Sequence, residues 1–167
     1  MKLTDYTDYS LRVLLYTAVH PDTLVTIQQI ADTFGIPKNH LIKIVQRLGQ
    51  EGFLHTVRGR TGGIRLGMPA QRIVIGDVVR ATEPDFKMVQ CFRDQDGDHG
   101  GCPIQGICAL QGVLGDALRA FFEVLDGVTL ADVIAQPALA VALGGTASVP
   151  LTGLRASAGK TRARARA

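Results

Sequence analysis

Apolar positions recur at three- and four-residue intervals along the first third of the chain, interrupted by proline and glycine. Between about Thr4 and His20, Leu11, Leu14, Leu15 and Ala18 repeat with the period of a helix, which Pro21 stops. In "TIQQIADTFG", Thr26 and Gln29 have the spacing of a capping box. Ile27, Ile30, Ala31 and Phe34 form one stripe before Gly35 closes the helix. Pro37, favoured in a first helical turn, restarts the chain, and "PKNHLIKIVQRLGQEG" runs to a second glycine stop at Gly52. Leu41, Ile44, Val45 and Leu48 lie on one side of this third helix. Asn39, His40, Lys43, Gln46 and Arg47 lie on the other side or its margins.

The period then shortens. "FLHTV" and "IRL" read as two short strands around "RGRTGG", where Gly59, Gly62 and Gly63 permit a tight reversal and Arg58, Arg60 and Arg65 cluster. "VIGDVVRAT" is a short helix ending near Glu83 and Pro84. From Pro103 to about Leu125, the positions Ile104, Ile107, Leu110, Leu114, Ala117, Leu118, Phe121, Phe122 and Leu125 predict a long helix. At 1.5 Å per residue it would span about 35 Å. Its wide stripe exceeds what a small domain covers, so a second copy of the chain is its natural partner. Gly106, Gly112 and Gly115 weaken its interior but permit close helix contact. A last short helix begins at Thr129 with "LADVIA". The predicted fold is mainly α with a small β-wing: a winged helix-turn-helix plus a long dimerisation helix. The divisions are 1–83 for the winged helix, 84–102 for a loop, 103–136 for the dimerisation and C-terminal helices, and 146–167 for a disordered basic tail.

With 46% hydrophobic and 20% charged residues the chain belongs to the globular class. No apolar run approaches the roughly 18 residues of a membrane span, and the N-terminus lacks the pattern of a secretory signal. A cytoplasmic protein is expected. The net charge of +3 is unevenly spread, because residues 155–167 carry five basic and no acidic side chains. Overall basicity is therefore weak evidence for nucleic acid. Placement is better evidence. The major groove of DNA admits a helix, and its base edges suit Arg, Lys and Asn. Lys38, Asn39, His40, Lys43 and Arg47 on the third helix are the candidates, with Arg58, Arg60 and Arg65 of the hairpin for backbone or minor groove. No nucleophile, base and oxyanion arrangement is discernible, so an enzyme is not expected.

All three cysteines fall in "CFRDQDGDHGGCPIQGIC". An odd number in a reducing compartment argues against a disulfide framework. Neighbouring thiolates repel unless a cation or an iron-sulfur unit offsets their charge. Cys102, before Pro103, falls at the expected helix start, where backbone donors favour negative charge, and Cys108 falls within the helix. Spacing alone leaves open an iron-sulfur or other metal site, zinc with His99 as a further ligand, or no metal. Asp8 reads as a first-turn anion with Arg12 as its partner.

Taken together, "LTDYTDYSLRVL", the helix and wing "PKNHLIKIVQRLGQEGFLHTVRGRTGGIRLG", "IGDVVRATEP", the cysteine loop and "LDGVTLADVI" resemble the iron-sulfur winged-helix transcriptional repressors over roughly residues 1 to 136. The closest resemblance is to their nitric-oxide-sensing branch. It implies a homodimer with crossing long helices that binds promoter DNA while its cluster is intact, nitrosylation of the cluster relieving binding. It further implies a [4Fe-4S] cluster held by Cys91, Cys102 and Cys108, with Asp8 from the other subunit. The ten residues between Cys91 and Cys102 exceed the usual family spacing and leave room for His99. The [2Fe-2S] branch resembles this chain less, since Gln111 stands where that branch has a histidine. Rival expectations are a regulator sensing iron-sulfur status or redox, and a zinc-stabilised module that binds protein.

Overall fold

A computed structural model describes residues 2–89, 92, 104 and 107–145. The chain forms α1 (Asp5–Ala18), α2 (Ile27–Phe34), α3 (Lys38–Gln50), β1 (Leu54–Val57), β2 (Gly63–Leu66), a 3-10 turn at Ala70–Arg72, α4 (Ile75–Thr82), α5 (Ala109–Asp126), α6 (Leu130–Ile134) and α7 (Pro137–Ala142). The fold is mainly helical with a two-stranded wing, as the sequence pattern predicts.

Local chemistry accounts for the boundaries. Thr26 and Gln29 make both halves of the capping box at the start of α2, and Gly35 closes that helix with φ of 65°. Thr4 caps α1 by accepting from the Thr7 amide, and Thr129 forms a second capping box with Asp132. The wing is antiparallel, with Leu54 opposite Leu66 and His55 opposite Arg65. Its inner edge is stitched to the segment before α2, where Val25 and Ile64 exchange backbone hydrogen bonds of 2.9 and 2.7 Å. Gly63 is required at this seam, because a Cβ there would press on Leu24 and the Val25 carbonyl.

Leu14, Ile30, Leu41, Ile44, Leu48, Ile73 and Leu130 are the large, fully buried side chains. They come from α1, α2, α3, the segment before α4, and α6. The chain therefore returns after α5 to finish the core of the winged helix: the Leu130 amide donates to the Ile73 carbonyl, and the Ile75 amide to that of Val128. Four polar side chains in helices are buried among the described residues: Thr7, Ser10 and Thr17 on α1 and Thr82 on α4. Ser10 and Thr17 on α1 donate their hydroxyls to the carbonyls of Tyr6 and Val13, which satisfies them within the core.

The long helix differs from expectation at its start. It begins at Ala109 rather than near Pro103, so its 18 residues span about 27 Å. Ile104 and Ile107, which extended the apolar period, are 51% and 84% exposed and lie in turns. The period continues there without a surface to pack on. Cys108 is the N-cap in extended conformation, not an interior helical residue. α5 has no buried residue. One side of it, through Phe121, Phe122 and Leu125, packs on the core. Leu110, Val113, Ala117, Ala120 and Val124 form an exposed stripe on another side. Gly112 and Gly115 fall off this stripe, so alanines are its small residues. α7 and the 3-10 turn have too few periodic positions to be read in advance. The expected loop ligands Cys91 and Cys102, the alternative ligand His99, and the expected tail 146–167 lie outside the described residues.

Candidate nucleic-acid interface and cysteine site

α3 is held by Leu41, Ile44, Val45 and Leu48 and presents its remaining side chains outward. Lys38, Asn39, His40, Lys43 and Arg47 are all exposed, as are Ile42, Gln46 and Gln50. They are not equally available. The Arg47 guanidinium pairs with Glu51 at 2.9 Å, and its Nε donates to the Ala81 carbonyl at 3.3 Å. This ties the end of α3 to α4. His40 lies against the Tyr9 ring, 6.3 Å between centroids, beside a cleft of about 300 Å³ between α1 and α3. Tyr6 lines the same cleft and donates its hydroxyl to the Lys43 carbonyl at 3.3 Å. Burial raises the pKa of that phenol, partly offset by the Arg47 charge, so it remains a donor at neutral pH. Lys38, Asn39 and Lys43 are left facing outward.

At the wing tip Arg58 and Arg60 are exposed. Arg65 stands on the exposed face of the ladder opposite His55. Lys38, Lys43 and these three arginines make no ion pair among the described residues, so the charge is free to act on a polyanion. Both groups lie on consecutive elements, α3 and the hairpin, braced by the same core.

Of the three cysteines, Cys108 is the described one. It is a free, half-buried thiol at the N-cap of α5, with no side-chain capping hydrogen bond. The thiol stands beside the free first-turn amides of α5. The cysteine at the start of α5 is Cys108, where the sequence pattern expected Cys102. Among the described residues no three His, Cys, Asp or Glu side chains converge as a metal site. Asp8 in the first turn of α1 is paired with Arg12 at 2.8 Å, both about half exposed. Within the subunit its partner is Arg12, one turn ahead on the same helix.

Two further contacts frame the loop. At the end of α4, Glu83 accepts from the Thr4 amide at 2.7 Å and from its hydroxyl at 3.1 Å, which fixes the entrance to α1. Arg80 of α4 makes a two-pronged pair with Asp126 of α5, each contact 2.7 Å, and lies 4.3 Å over the Phe122 ring. The Arg80 hydrogen bonds hold the Asp126 carboxyl below its ordinary pKa, and Arg80 is raised in turn. Phe86 packs edge-on against Phe122 at 4.7 Å. The first residues of the loop are thereby pinned to α5. Sequence reasoning missed Glu83, Arg80, Asp126 and Tyr6, because each acts through a partner distant in sequence.

A helix-turn-helix with a polar, exposed third helix and a basic wing defines a DNA-binding transcriptional regulator, not an enzyme. Residues 3–136 match the Rrf2 family, described as iron-dependent transcriptional regulators, and the chain belongs to that family. It is 53% identical over 135 residues to the HTH-type transcriptional regulator NsrR of Bacillus subtilis, covering 80% of this chain and 90% of that one. Protein aau3 of Rhizobium meliloti is 43% identical over 145 residues, covering 86% and 92%. Among solved structures, T. potens IscR superposes with a TM-score of 0.64 at 24% identity, over 80% of this chain and 86% of that chain, a likeness of fold. No helix among the described residues is long and apolar enough to cross a membrane.

Proposed function

We propose that this chain is a cytoplasmic, homodimeric repressor of transcription that senses nitric oxide through a [4Fe-4S] cluster. Cys91, Cys102 and Cys108 would hold the cluster, with Asp8 of the other subunit as fourth ligand. The observation that carries the reading is Cys108, an uncapped thiol at the N-terminus of α5, in a chain 53% identical to a regulator named NsrR. When bound, the cluster supplies irons that react with nitric oxide.

The protein's own residues supply the rest. The N-terminus of α5 would place the Cys108 sulfur as a ligand. To serve as a ligand Asp8 gives up its pair with Arg12, a surface contact of small strength. A carboxylate oxygen is a harder donor than thiolate and would hold a cluster iron less tightly. α1 touches both ends of the signalling path: Thr4 binds Glu83 at the loop entrance, and Tyr6 binds the Lys43 carbonyl on α3. A displacement of α1 therefore changes how α3 is presented. The exposed stripe Leu110, Val113, Ala117, Ala120 and Val124 has the alternating three- and four-residue spacing of a helix-helix seam, which a second copy would cover. Lys38, Asn39, His40 and Lys43 would enter the major groove of promoter DNA, with Arg58, Arg60 and Arg65 on its flank. Arg47 would act mainly by bracing α3.

Anaerobic purification followed by iron and acid-labile sulfide analysis, visible spectroscopy, nitric-oxide titration and DNA binding on one sample tests the proposal. The expected result is a chromophore of four irons per chain whose bleaching by nitric oxide parallels loss of DNA binding. Zinc in place of iron and sulfide refutes the sensing role. A cluster indifferent to nitric oxide but lost under iron limitation or oxidant identifies an iron-status or redox sensor instead.

A further inference from the structure

Ile42 is an apolar side chain on a helix face that is otherwise polar. Its neighbours on the exposed arc of α3 are Lys38, Asn39, Lys43, Gln46 and Gly49, yet Ile42 is 52% exposed. At about 100° per residue, it lies roughly 160° around α3 from His40, the residue that faces Tyr9. It is also well away from Arg47, which is tied to α4. Neither α1 nor α4 holds it. A branched apolar residue at an exposed helical site gains nothing in helix propensity over the lysines and glutamines beside it.

The surroundings identify the occupant. Lys38 and Asn39 lie one turn before Ile42 and Gln46 one turn after, all exposed, and the Lys38 and Lys43 charges favour a polyanion. Within the major groove the apolar feature at a base edge is the thymine C5-methyl group. The structure assigns Ile42 as a specificity-determining contact to a thymine methyl, while Asn39, Lys43 and Gln46 supply the hydrogen bonds and charge around it. This rests on α3 being the helix that enters the major groove, and the experiment below separates the two.

Anaerobically purified full-length protein is used to select duplexes from a randomised pool, and the best duplex is remade with each thymine replaced in turn by deoxyuridine, which removes only the methyl. At one position of each half-site the replacement weakens wild-type binding about fourfold, the factor for one buried methyl-sized group. Ile42→Ala binds thymine and deoxyuridine duplexes equally, with wild-type circular dichroism and wild-type salt dependence. A wild-type protein indifferent to every replacement overturns the contact, as does an Ile42→Ala variant that keeps the full thymine preference. A wild-type protein that binds the selected duplex no better than the starting pool overturns the DNA-reading role of α3, and the thymine contact with it.

Discussion

The wing gives the sharpest quantitative test of the proposed interface. Arg60 is exposed at the tip of the β1–β2 turn and makes no ion pair among the described residues. The turn is built by glycines rather than by Arg60. Gly59 has φ of 120°, its carbonyl accepts from the Gly62 amide at 3.0 Å, and a Cβ on Gly62 would strike the Val57 carbonyl. Arg60→Ala should therefore leave the hairpin intact and remove charge alone. If Lys38, Lys43, Arg58, Arg60 and Arg65 of both protomers each neutralise one phosphate, the slope of log K against log salt is about −9. Losing Arg60 from both protomers makes it shallower by about 1.8. Between 50 and 200 mM salt the wild-type affinity would then fall about 12-fold further than that of the variant. Fluorescence anisotropy with a labelled promoter duplex at several salt concentrations reads this directly. Parallel lines for the two proteins would place Arg60 off the phosphate backbone and refute the reasoning.

The joint between α4 and α5 yields a second test. A methyl group on Gly76 would overlap the Asp126 carboxylate, the tip of a half-exposed side chain, so Gly76→Ala should displace that carboxylate from Arg80 at a net loss of at most about 1 kcal/mol in urea unfolding. The loss should shrink when Asp126 is also alanine, and additive losses would show that the two do not compete for space. The lowered pKa of Asp126 predicts an acid limb: its contribution is present at neutral pH and disappears as pH falls from the ordinary carboxylate value of about 4 through the lower folded-state value. Asp126→Asn should therefore be less stable than wild type at pH 7, with the gap closing toward pH 3, and a gap independent of pH would contradict the assignment. On the exposed stripe of α5, Val113→Lys should convert a dimer to a monomer by light scattering, and an unchanged mass would move the interface elsewhere.

Elements stabilised by neighbours in sequence were readable in advance. The Thr26–Gln29 box, the Gly35 stop, the buried side of α3 and the glycine-bounded wing all depend on contacts within a few residues, so their spacing was enough. The pairing of Asp8 with Arg12, four residues apart on one helix, was readable for the same reason. The start of α5 was not, because the period through Ile104 and Ile107 looks the same whether or not a surface exists for it to meet. Ser10 and Thr17 likewise look solvent-facing until their hydroxyls are seen to bond carbonyls one turn back inside the core.

The residue pattern was sufficient for the order of helices, the hairpin and the family resemblance, since each rests on local periodicity, capping and turn chemistry. Folding in three dimensions set everything that depends on distant segments meeting. It made Cys108 a helix cap, returned Leu130 to the core of the winged helix, tied Arg47 to Ala81 and Arg80 to Asp126, and left Ile42 outward among polar neighbours. Sequence spacing carries no record of such contacts, because the side chains that make them are brought together only when the core closes.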